Sequence, residues 1–269
     1  MSWVRELDAR QRAMLDEMGV KVWAPTPASA PVAVTVTPPA PAPSPAPVRA
    51  PAMVAAPAAS TPSAPAATPT PAARPVETPA LAHLCWDDLR QAVAACQACG
   101  LCTSRRQTVF GTGHEQARWM IVGEAPGEQE DRQGEPFVGP AGQLLDAMLR
   151  ATGRDRRTDA AGGVYIANVL KCRPPANRNP APEEVLRCEP FLARQVSLVQ
   201  PGLIIAMGRF AVQSLLRTTE PIGKLRGRVH RYEGVPVIVT YHPAYLLRNP
   251  ADKAKAWADL CLALDQPLD

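Results

Sequence analysis

Hydrophobic and polar positions divide the chain into three textures. In residues 2–19, Val4, Leu7, Met14, Leu15 and Met18 recur at helical spacing among charged residues, and Gly19 follows. That pattern predicts an amphipathic helix. Residues 24–80 carry no hydrophobic period. From Leu81 onward, helical patterns alternate with short apolar runs. Residues 84–95, 141–152, Pro182–Val199, a stretch ending at Leu216, and 251–264 read as helices. Trp119–Gly123 (WMIVG), 164–170 (VYIANVL), Leu203–Met207 (LIIAM) and Val235–Thr240 (VPVIVT) read as strands buried on both faces. The alternation predicts an α/β fold of three layers, α/β/α, around a central, mainly parallel four-stranded sheet. In such sheets, functional groups lie beyond the carboxyl ends of the strands.

Composition explains the silent middle. Of the chain's 31 prolines, 17 fall in residues 24–80, with only Arg49, Arg74 and Glu77 as charges. Repeated Pro, Ala, Thr and Ser favour an extended, disordered spacer. Three parts are therefore expected: residues 1–23 as a helix, 24–80 as a linker, and 81–269 as the folded domain. The helix could pack on that domain, or dock a partner protein through residues 3–18 while the linker acts as a leash. Net charge is +4, which permits an anionic partner without requiring one. No apolar run is long enough for a membrane helix, and residues 1–18 lack the core of a signal peptide. A cytoplasmic protein is expected.

In that compartment, seven cysteines suggest metal ligands or buried thiols rather than disulfides. Cys96, Cys99 and Cys102 form two overlapping C-x-x-C pairs, and Cys172 and Cys188 lie far downstream. Two of the first three with the second pair make a four-thiolate site, for zinc or for iron–sulfur. Cys85 and Cys261 read as apolar fillers of helices.

The strand ends hold the unusual polar residues. Gly123-Glu124-Ala125-Pro126-Gly127 follows the first strand, with Glu130 just beyond. Carboxylates there could orient water or steady a cation. Asn168 is a polar residue in an apolar strand, and its paired donor and acceptor suit the edge of a base. His242 stands immediately after the fourth strand, where a catalytic role is open to it. Phe137 lies between glycine and proline breaks, as a core residue or a stacking platform. The chain has no phosphate-binding P-loop, no dinucleotide fingerprint and no G-x-S-x-G motif.

Five motifs in order resemble the family 4 uracil-DNA glycosylases, the iron–sulfur branch of that superfamily. They are C-x-x-C at Cys96 and Cys99, GEAPGEQED at 123–131, EPFVGPAG at 135–142, NVLKCRPPANRNP at 168–180 and HPAYLLRNP at 242–250. The resemblance implies a [4Fe-4S] cluster on Cys96, Cys99, Cys172 and Cys188, with Cys102 spare. It implies Phe137, Asn168, Gly123 and Ala125 around uracil, and His242, Glu130, Glu124 and Asn177 in catalysis. Leu246 would fill the gap left by the flipped base, and Arg173, Arg178 and Arg248 would meet phosphates. The implied activity is hydrolysis of the uracil N-glycosidic bond in single- or double-stranded DNA, by a monomer; the first 80 residues lie outside the resemblance, and a docking helix there would meet a replication or repair protein. A non-catalytic or covalent uracil-binding iron–sulfur protein is the alternative.

Overall fold

The computed structural model describes residues 9–18, 81–158 and 162–267. The proline-rich segment 24–80 lies outside them. The elements follow in order: α1 (Ala9–Glu17), α2 (Trp86–Ala94), β1 (Thr112–Gly113), β2 (Trp119–Gly123), α3 (Glu128–Gln133), α4 (Pro140–Ala151), β3 (Val164–Asn168), α5 (Pro182–Val199), β4 (Leu203–Met207), α6 (Arg209–Leu216), α7 (Ile222–Leu225), β5 (Val229–Tyr232), β6 (Val235–Thr240), α8 (Pro243–Arg248) and α9 (Lys253–Leu264). Single 3-10 turns occupy Gly100–Thr103, Pro175–Asn177 and Pro250–Asp252.

The sheet order is β1-β3-β2-β4-β6-β5. The four predicted strands form its parallel centre. Two edge strands extend the expectation: β1 pairs antiparallel with β3, and β5 with β6. The hydrophobic pattern could not announce them. β1 has two residues, and the VHRY of β5 is polar because an edge strand keeps one face in water.

The central strands are largely apolar because both faces are covered, with Asn168 and Thr240 as polar residues at the ends of β3 and β6. Trp119, Ile121, Ile166, Ile205 and Ile238 point to a core completed by α4, α8 and α9. Met120, Val122, Ala167, Ile204 and Val239 point to the opposite core, beneath α5 and α6. Each such side chain contributes about 1.5–3 kcal/mol by leaving water. A third, smaller core holds Leu89, Val93, Leu101, Phe110, Leu170 and Phe191 with Cys172 and Cys188.

Local sequence sets the helix starts. Proline stands at the first position of α4, α5 and α8, where its missing N–H costs nothing. In α5, Glu184 reaches back to accept the Ala181 N–H at 2.8 Å. Helix α1 belongs to the domain rather than standing free. Leu15 is fully buried and Met18 nearly so, in the core formed with α4. Lys253 Nζ donates to the Met18 carbonyl at 3.1 Å. In the structure Leu15 and Met18 therefore face the domain itself, while Val4 and Leu7 of the predicted helix lie outside the described residues.

The sheet positions the site. Crossovers leave β2 toward β3 on one side, and the next strand, β4, lies on the other. The order therefore reverses at β2, and a crevice opens beyond the strand ends there.

Candidate active site and thiolate site

A cleft of about 880 Å³ occupies that crevice. Glu124, Ala125, Glu130, Phe137, Asn168, Asn177, Arg178, His242 and Arg248 all line it. Gly123 does not line it, but lies buried against two residues that do, Phe137 and Asn168. It pairs in register with Asn168 across β2 and β3. A Cβ on Gly123 would stand 2.3 Å from Asn168 Oδ1 and 2.7 Å from Phe137 Cζ. Only glycine lets the amide and the ring approach so closely. Phe137 adopts the left-handed region, φ 55°, over Gly142, where a Cβ would meet the Phe137 carbonyl at 1.7 Å.

Asn168 is buried, yet its Oδ1 has no hydrogen-bond partner. A buried unpaired acceptor is costly and calls for an explanation. Asn168 lines the cleft, and a ligand N–H reaching Oδ1 would satisfy it.

His242 caps α8. Its Nδ1 accepts the Ala244 N–H at 3.1 Å. That bond leaves the ring proton on Nε2 in the neutral form. Burial pushes the imidazole from its ordinary 6.5 down to about 4, and the Arg248 charge adds to the effect. The ring stacks on Phe137 with centroids 5.3 Å apart. The site therefore holds a neutral imidazole with a fixed donor.

Three carboxylates line the cleft: Glu124, Glu128 and Glu130. Glu130 Oε1 accepts the Val138 N–H at 3.2 Å, which ties α3 to the Phe137 segment. Burial raises the pKa of Glu124, with Arg209 opposing. Asn177 Oδ1 accepts from Arg173 Nε at 2.8 Å. Arg173 also lies 3.7 Å from Glu128, and Arg178 pairs with Glu184 through both amino groups. Of the three arginines assigned to phosphates, Arg248 alone carries no ion pair among the described residues. Arg209 joins them at the cleft. It opens α6 directly after β4, so the strand-end rule could have found it.

Leu246 requires correction. It is 0% exposed and packs in the core, so it cannot enter DNA. Leu247, 44% exposed, is the leucine of that pair at the surface. One residue turns a helix by about 100°, which separates the two directions.

Cys96, Cys99, Cys172 and Cys188 line a second, small cavity together with Cys102. Burial raises the thiol pKa values of Cys99 and Cys172, and pushes Cys188 up to about 12. Such buried sulfurs hold their protons unless a cation replaces them. Arg105 Nη1 donates to Cys172 Sγ at 3.0 Å, and Nη2 donates to the Cys96 and Ala94 carbonyls. Among the described residues, no three Cys, His, Asp or Glu side chains converge tightly enough for one metal ion. Four thiolates around one cavity are the donor set of a zinc or an iron–sulfur site. Cys85, expected as filler, is exposed and donates to Asp88 at 3.1 Å.

Residues 110–261 match the model of the uracil DNA glycosylase superfamily. The chain is 44% identical to a type-4 uracil-DNA glycosylase of Archaeoglobus fulgidus over 172 residues, covering 61% of this chain and 84% of the relative. A type-4 enzyme of Thermotoga maritima is 44% identical over 167 residues, with the same coverage of each chain. A type-5 enzyme of Pyrobaculum aerophilum is 31% identical over 193 residues, covering 61% of this chain and 84% of the relative. The order of the cleft motifs and the higher identity to the type-4 enzymes agree, and the chain belongs to the uracil-DNA glycosylase superfamily, in its type-4 family.

Proposed function

We infer that the protein is a DNA-repair glycosylase that hydrolyses the N-glycosidic bond of deoxyuridine in DNA, releasing uracil and leaving an abasic site. The observation that carries this reading to the cleft is the unpaired Asn168 Oδ1 beside Phe137. Uracil presents N3–H and O4 side by side, and a carboxamide matches both. Cytosine presents the reverse order, and a buried mismatch leaves polar groups unpaired.

A stacked base is out of reach, so the nucleotide must rotate into the cleft. Phe137 then supplies a face for the ring, the backbone at Ala125 closes the pocket, and Gly123 lets Phe137 and Asn168 approach each other. Leu247 holds the vacated space, and Arg248 and Arg209 meet phosphates. Water adds to C1′, the C1′–N1 bond breaks, and uracil leaves with the bonding pair. His242 donates from Nε2 to the uracil oxygen as it becomes anionic. Stabilisation is greatest there because the donor is already in place. Glu124, the carboxylate with the raised pKa, takes the water's proton. Glu130, fixed by Val138, favours the cationic sugar, and Asn177 helps to hold the water.

Cys96, Cys99, Cys172 and Cys188 would hold a [4Fe-4S] cluster. Bound there, it supplies a crosslink between the segment after α2, the loop after β3, and α5. The protein acts as a monomer in the cytoplasm. Among the described residues, no helix is long and apolar enough to cross a membrane.

The test is release of free uracil from a uracil-containing oligonucleotide. Wild type should release it and His242→Ala should be severely slowed with DNA binding retained. Binding without release by wild type would overturn the reading in favour of a uracil-binding protein.

A further inference from the structure

Lys171 is the buried lysine among the described residues, 1% exposed. It stands between the two sites. Its own N–H donates to Cys188 Sγ at 3.3 Å, and the next residue is Cys172. Its carbonyl accepts the Val109 N–H at 2.8 Å. Its side chain folds back along the strand it has just left. Nζ donates to the Asn168 carbonyl at 2.7 Å and to Gln195 Oε1 at 2.6 Å. Gln195, fully buried in α5, donates in turn to the Phe110 carbonyl at 2.9 Å and to Tyr165 Oη at 3.2 Å.

The place of the first bond matters. The β2–β3 ladder ends at the Gly123–Asn168 pair. Beyond it the Val169 and Leu170 N–H groups still donate to the Gly123 and Glu124 carbonyls, at 3.0 and 3.1 Å, while the Asn168 carbonyl accepts from Lys171. The Asn168 carboxamide is closely confined, with Oδ1 set where a Cβ on Gly123 would come within 2.3 Å of it. Its acceptor makes no bond of its own to fix it. The amine of Lys171 fixes the backbone from which that amide hangs. The expense of burying a lysine is hard to explain by packing alone, since an apolar side chain of that length would fill the same space at less cost.

We propose that Lys171, with Gln195 behind it, is a positioning residue: it aims the Asn168 carboxamide into the cleft and ties that aim to the loop carrying Cys172. This rests on reading Asn168 as the group that recognises uracil. The same short segment, residues 168–172, thereby carries the base reader at one end and a thiolate ligand at the other.

The test uses Lys171→Met and Gln195→Leu in the full-length protein. Three quantities are read: iron content, the KM and single-turnover rate for uracil release, and binding preference. The last is the Kd ratio between single-stranded oligonucleotides carrying 2′-fluoro-deoxyuridine and 2′-fluoro-deoxycytidine. Gln195→Leu touches no cysteine and should keep its iron. Both variants should raise KM about tenfold and cut the uracil preference by about tenfold, the size of one misplaced buried hydrogen bond. A loss of structure alone would lower the active fraction and leave KM and preference at wild-type values; that result in Gln195→Leu overturns the proposal, whether or not Lys171→Met keeps its iron. Wild-type preference without release would sink the glycosylase reading and leave this one standing. No preference in wild type would overturn this proposal, while release of uracil by the same protein would leave the glycosylase reading standing.

Discussion

The imidazole of His242 caps α8 and, in the proposed reaction, donates to uracil; its titration separates the two roles. As the cap of α8, Nδ1 must accept; as the donor to uracil, Nε2 must carry a proton. Only the neutral ring does both. The folded pKa is depressed to about 4, so this form persists across the neutral range. Single-turnover uracil release should therefore show no inflection from His242 near pH 6.5, and should change only as pH falls toward 4, where a proton on Nδ1 breaks the bond from Ala244 that holds the ring. Stability carries the opposite signature. Between pH 6.5 and about 4 the unfolded chain binds a proton that the folded chain refuses, so acidification costs stability in that window. Urea melts of His242→Asn should show a shallower loss over the same range. An unchanged slope would mean that the ring is more exposed to water than its cleft position implies. The two leucines of α8 divide in the same way. Leu246→Ala should destabilise the fold by about 2–5 kcal/mol, as a buried leucine does. Leu247→Ala should change stability by no more than about 0.5 kcal/mol. It should slow excision from duplex more than from single strands, because only the duplex has a gap to fill. Equal slowing on both substrates would remove Leu247 from that role.

At the scale of elements, two connections join the thiolate site to the cleft. One runs through Lys171 to the end of β3. The other runs through Asp131, a buried carboxylate of α3 one residue beyond Glu130, which accepts the Arg106 N–H with both oxygens, at 2.9 and 3.2 Å. Arg105, its neighbour, grips Cys172 and the Cys96 carbonyl. Emptying the thiolate site should thus loosen both a carboxylate loop and the base reader. Cys172→Ser is expected to lose iron and the visible absorbance of the protein, whereas Cys102→Ser should keep both; iron retained in Cys172→Ser would reject the ligand set. Much of this layout was legible in the sequence. Apolar runs of five or six residues located β2, β4 and β6 to the residue, because strands buried on both faces leave no polar interruption. The clustering of Glu124, Asn168 and His242 followed from the rule that parallel sheets expose their carboxyl ends. What stayed hidden depended on direction. Spacing could not say whether Leu246 or Leu247 faced the core. Nor could it say that Arg178 would turn to Glu184, or that a lysine in the NVLKC run would fold inward. Those outcomes are set by packing between segments distant in the chain.

For the whole molecule, α1 is the element whose position the linear order least suggests. A proline-rich stretch separates it from the rest of the domain, yet Leu15 and Met18 lie in the same core as Trp119 and Leu145. Removing two such side chains forfeits about 1.5–3 kcal/mol each before entropy is counted. The ordering of a nine-residue helix on a long tether offsets part of that gain. Deletion of residues 1–80 should therefore leave a folded, active domain that melts a few degrees lower, at about 2–4 °C per kcal/mol for a domain of this size. Every cleft residue and every cysteine of the thiolate site lies beyond residue 95, so KM for uracil-containing oligonucleotides should be unchanged. Leu15→Asp in the full chain should reproduce the deletion, since a charge cannot enter that core without its partner. The two proteins together separate a structural helix from a docking one. Matching melting temperatures, both below wild type, assign α1 to the fold. A deletion that melts with wild type would show that Leu15 and Met18 add nothing to the domain, and would return the helix to the role of a segment carried for a partner.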